Sequence, residues 1–128
     1  YWAKGENRDT GQALNSIAPP QAVIGLSWVS ASDNWDFAAT GTFTGSKGES
    51  DIDDTDGQRF ATPSWGIVDL TAGWRPGQRI ELRAGIFNAT DKKYWRWLDV
   101  ANMDSSDPMI TLLSRPGRSF SVTARLSF

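Results

Sequence analysis

RSFSVTARLSF, residues 118–128, alternates without a break: Phe120, Val122, Ala124, Leu126 and Phe128 fall on one side of an extended chain, and Ser119, Ser121, Thr123, Arg125 and Ser127 on the other. A period of two with one wholly apolar side is the pattern of a strand. The same reading extends upstream. In QAVIGLSWVS (21–30), Ile24, Leu26 and Trp28 oppose Val23, Gly25, Ser27 and Val29, and in DNWDFAATGTFTG (33–45), Trp35, Phe37, Ala39 and Phe43 oppose Asp36, Ala38, Thr40, Thr42 and Thr44. SWGIVDLTAGWR (64–75) sets Val68, Leu70, Ala72 and Trp74 against Asp69, Thr71 and Gly73, and RIELRAGIFN (79–88) sets Ile80, Leu82, Ala84 and Ile86 against Glu81, Arg83 and Gly85. No run shows a sustained 3.6-residue period with helix caps. The chain is therefore expected to be all-β, and with YWAKGE (1–6) counted as the second half of a strand it has about six strands.

The connections alternate in length. SASDN (30–34) and RPGQ (75–78) are turn-sized, the second a Pro-Gly turn. NRDTGQALNSIAPP (7–20), SKGESDIDDTDGQRFATP (46–63) and the stretch 95–116 are much longer than the usual hairpin loop of about 2–5 residues. An antiparallel meander with short turns at one end and long loops at the other is the layout of an outer-membrane barrel.

Composition excludes several classes of function. The 128 residues carry 13 Lys and Arg against 15 Asp and Glu, for a net charge of −2, and the basic residues are scattered, so no nucleic-acid partner is expected. Cysteine is absent, which removes disulfides and thiolate metal sites. Histidine is absent too, and with it the usual general base, zinc ligand and haem ligand. No run of about 20 apolar residues or signal-peptide pattern occurs. The opening at Tyr1, inside a strand-like run, leads us to expect a piece of a larger protein.

The apolar side of such a sheet faces either a protein core or lipid, and alternation alone is compatible with a soluble β-sandwich that binds a ligand, for example a carbohydrate stacked on surface tryptophans. The polar residues at mid-strand, Asp69, Glu81, Arg83 and Arg125, suit a polar lumen and equally a solvated sheet face. Strand length favours the membrane. RSFSVTARLSF, tilted by roughly 45° at roughly 3.3 Å per residue, spans about 25 Å, the height of an outer-membrane apolar band. Trp28, Trp35, Trp65, Trp74 and Phe128 lie near run ends, as the aromatic girdles of a barrel do.

GIFNATDKKYWRW (85–97), followed by a long loop, SRPGRSF (114–120) and a last strand ending in phenylalanine, resembles the carboxy-terminal end of TonB-dependent outer-membrane receptors, most closely the branch that takes up haem or haemoglobin. KGENRDTGQALNSIAPPQAVIGL (4–26) is similar to a strand, outer loop and returning strand lying several strands before that end. The resemblance implies that residues 1–128 are the C-terminal segment of a barrel of about 22 strands whose plug domain lies elsewhere. It implies uptake of haem or another iron source at the outer membrane of a Gram-negative bacterium, driven through TonB acting on that plug. Its partners would be outer-membrane lipid, the barrel-assembly machinery, the TonB complex, and haem, a haemoprotein or another iron carrier. NRDTGQALN, the acidic stretch and MDSSDPMITLLS would face outward, and Phe120, Val122 and Phe128 would belong to the signal read during barrel assembly. Haem would be cargo of the whole receptor and not a cofactor of these residues, which hold no histidine.

No catalytic centre is expected, because no Ser or Thr has a base beside it and Lys92 and Lys93 sit in an aromatic tract. Glu49, Asp51, Asp53, Asp54 and Asp56 form an acidic cluster, but the glycine offset is wrong for a calcium loop and its twelfth position, from Asp51, is Thr62, so we expect a solvated loop. GTFTGSKG (41–48) lacks the Gly-Lys-Ser/Thr order of a phosphate loop, and Asn88-Ala89-Thr90, a sequon by pattern, reads as strand-to-loop geometry. Glu81 with Arg83, or Asp69 with Arg83, is a candidate ion pair on the polar face. Tyr94, Trp95, Arg96 and Trp97 make the densest aromatic-basic cluster, expected either as an interfacial girdle or as a ligand contact.

Overall fold

A computed structural model describes residues 14–52, 60–101 and 103–128. It contains one 5-stranded sheet in sequential order, β1(Gln21–Val29), β2(Trp35–Thr44), β3(Trp65–Gly77), β4(Ile80–Phe87) and β5(Ser119–Leu126). Each strand falls on one of the alternating runs. The run YWAKGE, expected as a further partial strand, lies outside the described residues. Among the described residues there is no second sheet, so the sandwich expected as the alternative is not the architecture found.

The register confirms that alternation sorts side chains by face. Leu70 pairs with Ile86, Ala72 with Ala84 and Trp74 with Leu82; Ile86 then pairs with Phe120, Ala84 with Val122 and Leu82 with Ala124. On the other face Gly73 pairs with Arg83, Arg83 with Thr123 and Glu81 with Arg125. A slip of one residue would mix the two sets.

Two details differ from the expectation. Hydrogen bonding in β5 covers 8 residues rather than the 11 of the alternating run; Ser127 N still donates to Arg79 O at 2.9 Å, and Phe128 lies past the ladder, fully exposed. The turn between β3 and β4 is Gln78–Arg79 rather than RPGQ, because β3 continues to Gly77 through a bulge between Trp74 and Gly77. Pro76 has no N–H to give a ladder, and a bulge is where a strand tolerates it. At the other short turn Asp33 adopts φ 57°, Ser30 N donates to Trp35 O at 2.9 Å, and Trp35 N donates to Ser30 Oγ at 3.1 Å.

The chain divides into two units. The sheet unit is Val23–Thr42, Gly66–Lys92 and Gly117–Phe128; the loop unit is the described part of Tyr1–Ala22 with Phe43–Trp65 and Lys93–Pro116. The buried apolar side chains Ile52, Trp65, Trp97, Val100, Ala101 and Ile110 all belong to the loop unit. In the sheet unit the apolar face stays open: Leu26 is 74%, Phe120 70% and Val122 80% exposed.

Candidate functional site

Three sequence-distant loops meet in the loop unit. The longest contributes two single-turn helices, α1(Trp97–Val100) and α2(Met109–Leu112). Trp97, 2% exposed, packs with Ile52 and Ala101, against Ala18 and Ala61. Its indole N–H donates to Asn15 O at 2.7 Å, and Lys47 Nζ stands 5.5 Å from its ring centroid. A tryptophan suits this place because it fills volume while its one donor reaches a backbone carbonyl. Lys47 is buried too, with its ammonium over the ring. Its backbone N–H donates to Thr62 O at 2.9 Å, closing the loop between β2 and β3 on itself.

The other cluster residues separate by role. Trp95 donates from Nε1 to Ile110 O at 2.7 Å and meets the Phe60 ring edge-on at 5.4 Å. Tyr94 packs on Trp65 at 4.2 Å, and its carbonyl accepts from Arg115 N at 2.9 Å. Trp65, expected near a girdle, is thereby buried among loop residues. Arg96 is exposed and lines a cleft of about 210 Å³ with Gln21, Thr44, Trp65, Leu98 and Asp99. The Asp104 carboxyl is held below its usual range by the backbone N–H of Ser106 at 2.8 Å and by the Ser106 hydroxyl at 2.7 Å. Of the acidic cluster, Asp53, Asp54 and Asp56 lie outside the described residues, and among those described no group of acidic side chains is gathered as metal ligands.

The sheet unit has its own polar cluster. Arg75 Nη2 lies 2.7 Å from Asp36 Oδ2, and Arg83 Nε lies 2.7 Å from Glu81 Oε1; longer approaches at 3.5 Å (Arg75 to Glu81) and 3.7 Å (Arg83 to Asp36) complete a cycle of alternating charge across β2, β3 and β4. The carboxylates are the shielded members, Asp36 at 18% and Glu81 at 24% side-chain exposure, so these pairs are stronger than open surface ones. Gly73 makes this geometry available, since a Cβ there would overlap the Asp36 carboxylate. Of the two ion pairs weighed from sequence, Glu81 with Arg83 forms. Asp69 instead accepts the backbone N–H of Asn88 at 2.8 Å. Sequence reasoning missed Arg75 and Asp36 as members because their strands' mutual register is not written in either strand.

On the apolar face at the short-turn end, Trp28, Phe37, Trp35 and Trp74 form a row with successive ring separations of 5.7, 6.1 and 5.5 Å. The sheet thus has an open apolar face ending in aromatic rings and an opposite face, mostly of small and polar residues, on which Asp36, Arg75, Glu81 and Arg83 are ion-paired. With short turns at one end of the meander and long connections at the other, these features define a wall segment of an outer-membrane-type β-barrel.

Residues 1–89 match the family described as TonB dependent receptor-like, beta-barrel, and the chain belongs to that family. It is 24% identical, over 98% of its length and 15% of the relative's, to the hemoglobin and hemoglobin-haptoglobin-binding protein of Haemophilus ducreyi. It is 26% identical to hemoglobin-haptoglobin utilization protein B of Neisseria meningitidis serogroup C, over 99% of this chain and 18% of the relative. Among solved structures, the copper transporter OprC superposes with a TM-score of 0.75 at 23% identity, covering 99% of this chain and 20% of OprC. The chain therefore spans less than a fifth of the curated relatives it matches, and the likeness to the copper transporter is one of fold.

Proposed function

We propose that residues 1–128 are wall and extracellular loops of a TonB-dependent outer-membrane receptor for haem, a haemoprotein or another iron source, with the plug and TonB contact supplied by other parts of the receptor. The observation that carries this reading is the sheet's division into an open apolar face and a polar face on which Asp36, Arg75, Glu81 and Arg83 form ion pairs. An open apolar face is stable against lipid tails and unfavourable against water. The names of the Haemophilus and Neisseria relatives support a haemoglobin-type ligand. In this reading the packed loops form part of the outer surface, and Arg96, exposed beside Leu98 and Asp99, is the cluster residue placed to touch a ligand, while Trp97 holds the loops in shape. The row Trp28, Trp35 and Trp74 would lie at the periplasmic headgroup level.

The test is made on the intact receptor in outer-membrane fractions. Heat-modifiable migration and saturable binding of haemoglobin or haemin to cells are expected. A receptor recovered as a monodisperse water-soluble monomer would refute the barrel role, and normal membrane assembly with binding only of a non-haem iron carrier or another metal would refute the haem assignment alone.

A further inference from the structure

Strands β4 and β5 pair over their full lengths, from Ile80 opposite Leu126 to Phe87 opposite Ser119, with no bulge. Their connection, residues 88–118, is far too long for a turn to set that register. Every two-residue slip would still leave apolar side chains on the apolar face, so the alternation itself does not choose among registers that differ by two.

The neck of this loop holds a compact set of bonds, all within the sheet unit. Asn88, buried and at φ 50°, donates from Nδ2 to Lys92 O at 2.8 Å and accepts Lys92 N–H on Oδ1 at 2.9 Å; Ala89 N donates to Val68 O and Asp91 N to Asn88 O, both at 2.8 Å. These bonds tie the turn to the exit of β4 and to β3. They hold Asp91 at φ 55°, with its Oδ1 accepting the backbone N–H of Arg118 at 2.7 Å. Arg118 directly precedes Ser119, the first residue of β5. Gly117 lies against the same carboxylate, and a Cβ there would collide with Asp91 Oδ1.

We propose that Asp91 is a register latch for β5: its carboxylate, positioned by the Asn88 turn and received at Gly117-Arg118, selects the pairing Phe87 with Ser119 among registers that preserve facial alternation. The latch links the two sequence tracts, NATDKKYW and RPGRSF, that the long loop separates. It depends on the β4–β5 pairing and not on which ligand the receptor carries.

Disulfide formation in the intact receptor, in outer-membrane fractions, reads the register; this chain adds no competing thiol. Ala84→Cys with Val122→Cys reports the observed register, and Ala84→Cys with Phe120→Cys or with Ala124→Cys reports a slip of two. The observed pair is expected to dominate in the otherwise unchanged receptor. Asp91→Ala is expected to lower it by at least about threefold, with a rise in a slipped pair, while Asp91→Asn, which keeps the acceptor oxygen, retains it. Gly117→Ala is expected to act like Asp91→Ala, and it decides the matter if Asp91→Ala prevents assembly. The proposal is overturned if Gly117→Ala leaves the observed cross-link at its original level, or if Asp91→Asn loses it as fully as Asp91→Ala does.

Discussion

Trp97 donates its indole N–H at 2.7 Å to the carbonyl of Asn15, 82 residues away in sequence, and Lys47 from a third loop stands over the same ring. One side chain thus joins three loops that are far apart in sequence. Loops of this length ordinarily vary in conformation; these share a core.

Trp97→Ala is expected to remove about 3–5 kcal/mol of local stability, as for other fully buried aromatic truncations. Limited proteolysis of the intact receptor at the cell surface should then cut within more than one of the loops 14–20, 46–64 and 93–116. Trp97→Phe keeps most of the volume but loses the hydrogen bond to the Asn15 carbonyl, for a loss of about 1 kcal/mol and a correspondingly smaller rise in cleavage. Cleavage confined to the loop that contains position 97 would contradict a shared core.

Gly73→Ala should disturb the charged row, because the added methyl takes the place of the Asp36 carboxylate and parts it from Arg75. The expected loss is about 1–3 kcal/mol, seen as a lower temperature for the heat-modified shift on gels. Gly85→Ala is the control. Its Cβ would stand 3.0 Å from the Phe87 ring and 3.1 Å from Ser121 Oγ, and since the ring and hydroxyl can turn aside, a smaller shift is expected.

Asp36→Ala should leave Arg75 and Arg83 as neighbouring like charges, and the double substitution Asp36→Ala with Arg75→Ala should destabilise less than the two single effects added together. A double-mutant cycle on the same melting measurement is expected to give a coupling of about 1–3 kcal/mol. Coupling indistinguishable from zero would reduce the row to solvated charges.

Arg96→Ala is expected to weaken haemoglobin or haemin binding to cells while surface yield stays unchanged, since Arg96 is exposed at the rim of the cleft. Trp97→Ala should weaken binding only together with raised loop cleavage. Unaltered binding by Arg96→Ala would remove Arg96 from the contact surface.

Most of the sheet could be read in the sequence and little of the loop unit could. A period of two places Leu70, Ala84 and Val122 on one face from local sequence alone, because backbone geometry dictates which way successive side chains point. Trp97 offers no such cue. It sits in a tract without periodicity beside Tyr94, Trp95 and Arg96, and only tertiary packing makes it core while Arg96 stays at the surface. The charged row was half legible: Glu81 and Arg83 are neighbours on one strand face, whereas Asp36 and Arg75 meet through strand pairing and the space left by Gly73. Asp69 found a backbone N–H instead of a cation, a partner no count of charges would suggest. The motif NATDKK was visible as a family mark; its physical content, a turn holding Asp91 against Arg118, was not.

The most direct test of the account compares two adjacent residues of the central strand β3. Leu70, 40% exposed and paired with Ile86, belongs to the apolar face; Thr71, paired with Gly85, belongs to the polar one. Lysine on a lipid-facing mid-strand position costs about 2–4 kcal/mol, and lysine toward a polar lumen costs far less. Measured as yield of heat-modifiable receptor in the outer membrane, Leu70→Lys is expected to fall severalfold below Thr71→Lys. Equal yields, or a greater loss for Thr71→Lys, would contradict a lipid-facing apolar surface.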